Sequence, residues 1–91
     1  MFVTVITTRR GKAQIQQVEA PTVKDCLVVW AGSVAVEGQD DAGRTRLRGD
    51  MADFDRAPVA GFGSVWRFES DLGLGEGQDG AIVVVVETAR H

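Results

Sequence analysis

Apolar and polar positions alternate at the start of this chain and then change period. Phe2-Val-Thr-Val-Ile-Thr-Thr8 is rich in β-branched residues and predicts a strand. Arg9-Arg10-Gly11-Lys12 is polar and contains a glycine, so it reads as a turn, and Ala13 to Ala20 is the returning strand of a hairpin. That second strand changes phase: Ala13 and Ile15 share one parity, Val18 and Ala20 the other. A β-bulge near Gln16-Gln17 reconciles them, because one extra residue flips the side of everything that follows.

Ala20 to Val36 is the stretch around which the rest is organised, and its pattern predicts one long helix. Pro21 cannot continue a ladder, Thr22 is a good N-cap, and Asp25 three residues later approximates a capping box. Val23, Cys26, Leu27, Trp30, Ala31 and Val34 then recur at the spacing of one helical face. The opposite face has Lys24 as its one charge before Glu37, with Val28, Val29, Gly32 and Ala35 filling much of the rest. A helix apolar nearly all round is buried on more than one side.

A strand over Leu27 to Val36 competes. Val28, Val29, Val34 and Val36 are β-branched, and Gly32 weakens a helix by about 1 kcal/mol relative to Ala. Such a strand would pair with Arg44 to Arg48 across Asp40-Asp41-Ala42-Gly43. The cap followed by a full helical period favours the helix, with Gly32 or Ser33 a natural place for it to end.

Gly38 to Gly43 reads as a loop. Leu47, Met51 and Phe54 stand at i, i+4, i+7 and suggest a short second helix within 44–54, despite Gly49. Residues 55–63 form a connector containing Pro58, Gly61 and Gly63. Val65 to Leu72 alternates, with Trp66, Phe68 and Leu72 on one face, as a half-buried strand does. After a Gly-rich turn over 73–80, Ile82-Val-Val-Val-Val86 is the last strand, and its unbroken apolar run asks for cover on both faces. One helix covers one face. A second helix, a closed barrel or a partner subunit must cover the other. The expected fold is α+β: an antiparallel four-stranded sheet, element order β-β-α-(α)-β-β, with the long helix packed across it.

At 91 residues the chain makes one domain, 1–91, with a small core. Apolar residues at 44% and charged residues at 25% belong to a folded chain rather than a disordered one. A net charge of −3 argues against nucleic acid as a partner. One cysteine leaves no internal disulfide and fits a reducing cytoplasm. The longest uncharged run, Cys26 to Val36, is too short to cross a bilayer, and Phe2 to Ile6 lacks the flanks of a signal peptide. The expectation is a cytoplasmic protein with no membrane partner.

Gly75-Glu-Gly-Gln-Asp-Gly80 matches the G-x-G-x-x-G of dinucleotide-binding folds, but a strand follows it where a phosphate-binding helix is required. It is a hairpin loop, and no cofactor is expected. Cys26 reads as a buried thiol, since the one histidine is His91, at the last position. The same scarcity removes a Ser-His-Asp triad and most zinc sites. Asp40, Asp41, Asp50, Asp53 and Asp55 do not follow calcium-loop spacing and read as solvated surface. Glu19, Glu69 and Glu87 lie on three predicted strands, where a sheet ordinarily exposes such groups separately. Arg48-Gly49-Asp50 is a chance tripeptide. No catalytic or metal residues are assigned, and an enzyme is not expected.

Gln17-Val-Glu-Ala20 before a capped helix bearing Trp30-Ala31, then Pro58, Gly61, Val65-Trp66 and Glu87-Thr88, resembles small uncharacterised bacterial α+β proteins, some carried on mobile (integron-type) gene cassettes. That resemblance implies no activity. The opening hairpin and helix also resemble part of HicB-type antitoxins, but the strands after the helix depart from that plan.

Three readings follow. The leading one is a non-enzymatic, self-associating interaction module of accessory or immunity type, a homo-oligomer such as a dimer. Its interface would hold Val28, Val29, Gly32, Val84 and Val86, where apolar surface is in excess. A small-ligand binder would use an apolar pocket lined by Trp30, Trp66 and Phe68. An RNA or anion binder would use a basic patch of Arg9, Arg10, Lys12, Arg44, Arg46 and Arg48.

Overall fold

The computed structural model describes residues 1–75, 77 and 80–89. His91 and three positions of the Gly75–Gly80 motif lie outside the described residues. Strands β1 (Phe2–Arg9) and β2 (Lys12–Glu19) form the expected hairpin. Arg10 and Gly11 both have positive φ, 54° and 74°, as a two-residue turn matched to strand twist requires. Helices α1 (Val23–Ser33) and α2 (Asp41–Ala52) follow, then β3 (Val65–Ser70) and β4 (Ala81–Glu87). All strand pairs are antiparallel and the order is β2-β1-β4-β3, so the first and last strands share the centre.

The bulge expected near Gln16-Gln17 is absent. Register runs unbroken from Phe2↔Glu19 to Arg9↔Lys12. The change of phase is real, but it means that Ala13 and Ile15 point away from the core while Val18 points into it. β2 is apolar on both faces at different points along its length.

α1 starts as its sequence directs, with the Asp25 amide donating to Thr22 Oγ1 at 3.1 Å. It ends at Ser33, so the Ser33–Glu37 alternation belongs to the exit from the helix. Its last carbonyls are capped from outside: the Arg44 guanidinium donates to Ala31 O at 3.0 Å and Val34 O at 2.8 Å. α2 begins earlier than the periodicity indicated. Asp40 is its N-cap, its carboxylate accepting from the Gly43 amide at 2.7 Å, so the acidic run read as a loop forms the first turn. At 12 residues α2 is as long as the 11-residue α1, so two comparable helices stand where one dominant helix was expected.

Both helices pack on one side of the sheet. A single core joins Val3, Val5 and Val18, Trp66 and Phe68, Ala81, Val83 and Val85 with Cys26, Leu27, Trp30 and Ala31 of α1 and Leu47 and Met51 of α2. Phe54, just past α2, meets Phe68 at a ring distance of 5.4 Å and a tilt of 56°. The second helix therefore widens the first layer and leaves the other face of the sheet without a helix.

Residues 71–75 dock on the start of α2. Gln39 Nε2 donates to Leu72 O at 2.7 Å, and Arg46 donates to Gly73 O. Gly43 and Gly73 touch through their backbones, and a Cβ on Gly43 would stand 2.6 Å from Gly73 O. Leu72 has φ 54° and ends the run that alternation had extended past Ser70, yet its side chain is buried.

Candidate interface on the helix-free sheet face

Alternation and register place one set of side chains opposite the helices. Three rows cross the sheet from β2 to β3: Gln17-Thr4-Val86-Val65, Ile15-Ile6-Val84-Arg67 and Ala13-Thr8-Ile82-Glu69. Nine of these twelve positions are aliphatic or threonine, and the two charges stand together on the β3 edge. Ile15 is 66% exposed, Ile82 is exposed, and Ile6, Val65, Val84 and Val86 are half-buried. Among the described residues neither helix belongs to this face, since both contribute to the core on the other side.

The residues expected to form one interface fall on two surfaces. Val84 and Val86 belong to this open face. Val28, Val29 and Gly32 lie on α1, on the other side of the molecule. Val28 packs against the core, Val29 is 52% exposed, and the Arg48 side chain runs past Gly32. Ile6, Ile15 and Ile82 were missed. The signal was present in the parity of Ala13 and Ile15, which pairs Ile15 with Ile6 across the hairpin.

Trp30, Trp66 and Phe68 all belong to the packed core, each under 10% exposed. Trp30 and Trp66 line none of the clefts described; Phe68 sits at the edge of a shallow acidic one beside Asp50, Asp53 and Asp55. The six basic residues stand on two elements, the tip of the β1–β2 hairpin and α2. Arg44 and Arg46 are held by backbone carbonyls of α1 and the 71–75 loop, whereas Arg9, Arg10 and Lys12 ring the hairpin tip.

Glu19 and Glu69 sit on opposite edge strands, and Glu87 accepts from the Ser64 hydroxyl at 3.2 Å, so the three carboxylates do not converge. Cys26 is buried, its thiol facing Met1 O and Ala20 O, and burial pushes its pKa above the ordinary value. Among the described residues no group of three or more His, Cys, Asp or Glu side chains is arranged to hold a metal ion, and no helix is long and apolar enough to cross a membrane.

No family model matches the chain, and no curated protein or solved structure matches it either. The function must be argued from this geometry.

Proposed function

We propose that the chain is a non-enzymatic interaction module that associates with a second copy of itself through the helix-free sheet face. The observation that carries this reading is the contiguous apolar surface of Ile6, Ile15, Ile82, Val84, Val86 and Val65, over which neither helix of the described residues lies. Single exposed apolar residues are ordinary, but a contiguous patch rimmed by polar groups marks an interface. Strand spacing and rise give a face of roughly 19 by 23 Å, so two stacked copies bury on the order of 1,000 Å² in total. That is the small end of specific interfaces and fits a reversible dimer.

Charge favours a second copy over an unrelated partner. A two-fold interface must be self-complementary. Arg67 and Glu69 lie two residues apart on the same face of β3, so a two-fold axis crossing the strands between them sets each against the opposite charge of the other copy. The same axis lays Ile15 over Ala13, Ile6 over Thr8 and Val84 over Ile82, large groups against smaller ones in two of the three pairs. Dimerisation would leave the helix layer, with exposed Val29, free to meet another protein in an accessory or immunity-type role.

Val84→Lys places a charge at the centre of the open face and is expected to weaken association by about 2 kcal/mol, roughly 30-fold in Kd. Val29→Lys on the exposed side of α1 is expected to leave it unchanged. Sedimentation equilibrium on the two variants and the native chain tests this. Loss of association in Val29→Lys but not in Val84→Lys would move the interface to the helices.

A further inference from the structure

We infer that the outer edge of β2 pairs with the β2 edge of a second copy, antiparallel and centred on Ile15, so that the sheet of one chain continues into the next. The sheet has two edges, β2 and β3, and the sequence treats them differently. Along β3 the backbone turns outward at Val65 and, two residues on each time, at Arg67 and Glu69. A turn over 59–62 covers the first: the Val59 amide donates to Val65 O at 2.7 Å, and the Val65 amide to Phe62 O at 3.4 Å. Charged side chains stand at the other two, a device that blunts an exposed edge. β2 has neither protection. It is eight residues long and carries no charge from Ala13 to Val18.

Register shows which backbone groups of β2 are open. A two-residue turn makes Arg9 and Lys12 a hydrogen-bonded pair, and such pairs return at every second residue of an antiparallel ladder. The Ala20 amide donates to Met1 O at 3.0 Å, in step with that pattern. Lys12, Gln14, Gln16 and Val18 therefore bond inward to β1, while Ala13, Ile15 and Gln17 turn their amides and carbonyls outward. Among the described residues no backbone group pairs with these three on the outer side, and their side chains are all exposed.

This edge fits itself. The outward residues are symmetric about Ile15, so a two-fold axis there sets Ile15 against Ile15 and Ala13 against Gln17 of the second copy. That makes roughly six backbone hydrogen bonds and leaves none of the three residues over. On the helix side Gln14 meets Gln16 of the second copy, and side-chain amides both donate and accept. Charge sets the direction. Lys12 and Glu19 stand at opposite ends of the strand, so antiparallel pairing brings unlike charges near, where parallel pairing would bring like ones. Ile15, 66% exposed, comes to lie beside its counterpart, and the apolar row Ile15-Ile6-Val84 runs on into the second copy. A contact this narrow is weak, with a Kd on the order of 1 mM. It is separate from stacking of the sheet faces and adds to it only at concentrations well above those at which the faces associate.

The test is amide hydrogen exchange, read by NMR on the Val84→Lys chain to keep face stacking weak, at about 20 μM and about 1 mM. The amides of Ala13, Ile15 and Gln17 are expected to exchange roughly twofold more slowly at the higher concentration, with Gln14 and Gln16 unchanged. Proline is tolerated on an edge strand where the missing amide faces outward, so Gln17→Pro and Ala13→Pro are expected to fold. Each is expected to abolish the concentration dependence at Ile15. Exchange at Ala13, Ile15 and Gln17 that ignores concentration would overturn the pairing. So would equal slowing at Gln14 and Gln16, or a dependence that survives both proline variants. Slowing at the three outward amides in a chain whose faces do not stack would strike the face reading and uphold the edge.

Discussion

Arg67 and Glu69 are the residues on which the proposed two-fold pairing is most exposed to test. Each is an exposed edge-strand side chain whose replacement leaves the core untouched, so effects on association can be read without effects on folding. Arg67→Glu places like charges opposite one another and is expected to weaken association by about 1 kcal/mol, roughly fivefold. The swapped pair, Arg67→Glu with Glu69→Arg, restores the complement and is expected to return association to near the native value. Analytical ultracentrifugation at low and high salt reads both. A double variant as weak as the single one would contradict the reciprocal geometry. Legibility in the sequence varied sharply at this scale. Val84 and Val86 were visible as apolar excess, because five apolar residues in a row cannot all face one core. Ile15 was hidden, because its misfit parity has two physical solutions, a bulge or an exposed side chain, and only the register distinguishes them. Trp30, Trp66 and Phe68 all lie in the core, but aromatic residues in a sequence do not say whether a site is filled by ligand or by its own packing.

The elements themselves followed local rules closely. Both strands of the first hairpin, the Thr22 cap and the last strand stand where period and turn chemistry put them. α2 was the exception at its start. Aspartates and a glycine are turn formers in isolation, and the contact that makes Gly43 useful in a helix is with Gly73, thirty positions away. The two glycines of α2 therefore respond oppositely to the same change. Gly49→Ala meets open space and gains helix propensity, so it is expected to stabilise the fold by about 0.5–1 kcal/mol. Gly43→Ala drives a Cβ to 2.6 Å from the Gly73 carbonyl and is expected to cost about 2 kcal/mol or more, because backbone on backbone cannot yield cheaply. Urea melts of the two variants test this, and equal effects would mean that the 71–75 loop does not dock on α2.

The whole molecule is two layers, a four-stranded sheet and one layer of two helices. Secondary-structure order was readable from the sequence, but the side on which α2 lands was not, since either face of β3 and β4 offers apolar residues. That choice decides the function proposed here. Had α2 crossed to the other face, the sheet would be covered and the chain self-sufficient. With both helices on one side, burial of Ile6, Ile15, Ile82 and Val84 needs a second molecule. The most direct measurement is absolute mass by light scattering across a dilution series. The predicted result is a mass near twice the 9.8 kDa of one chain, falling towards 9.8 kDa as dilution passes a Kd of roughly 1–100 μM. A mass of 9.8 kDa at every concentration would contradict self-association through the sheet.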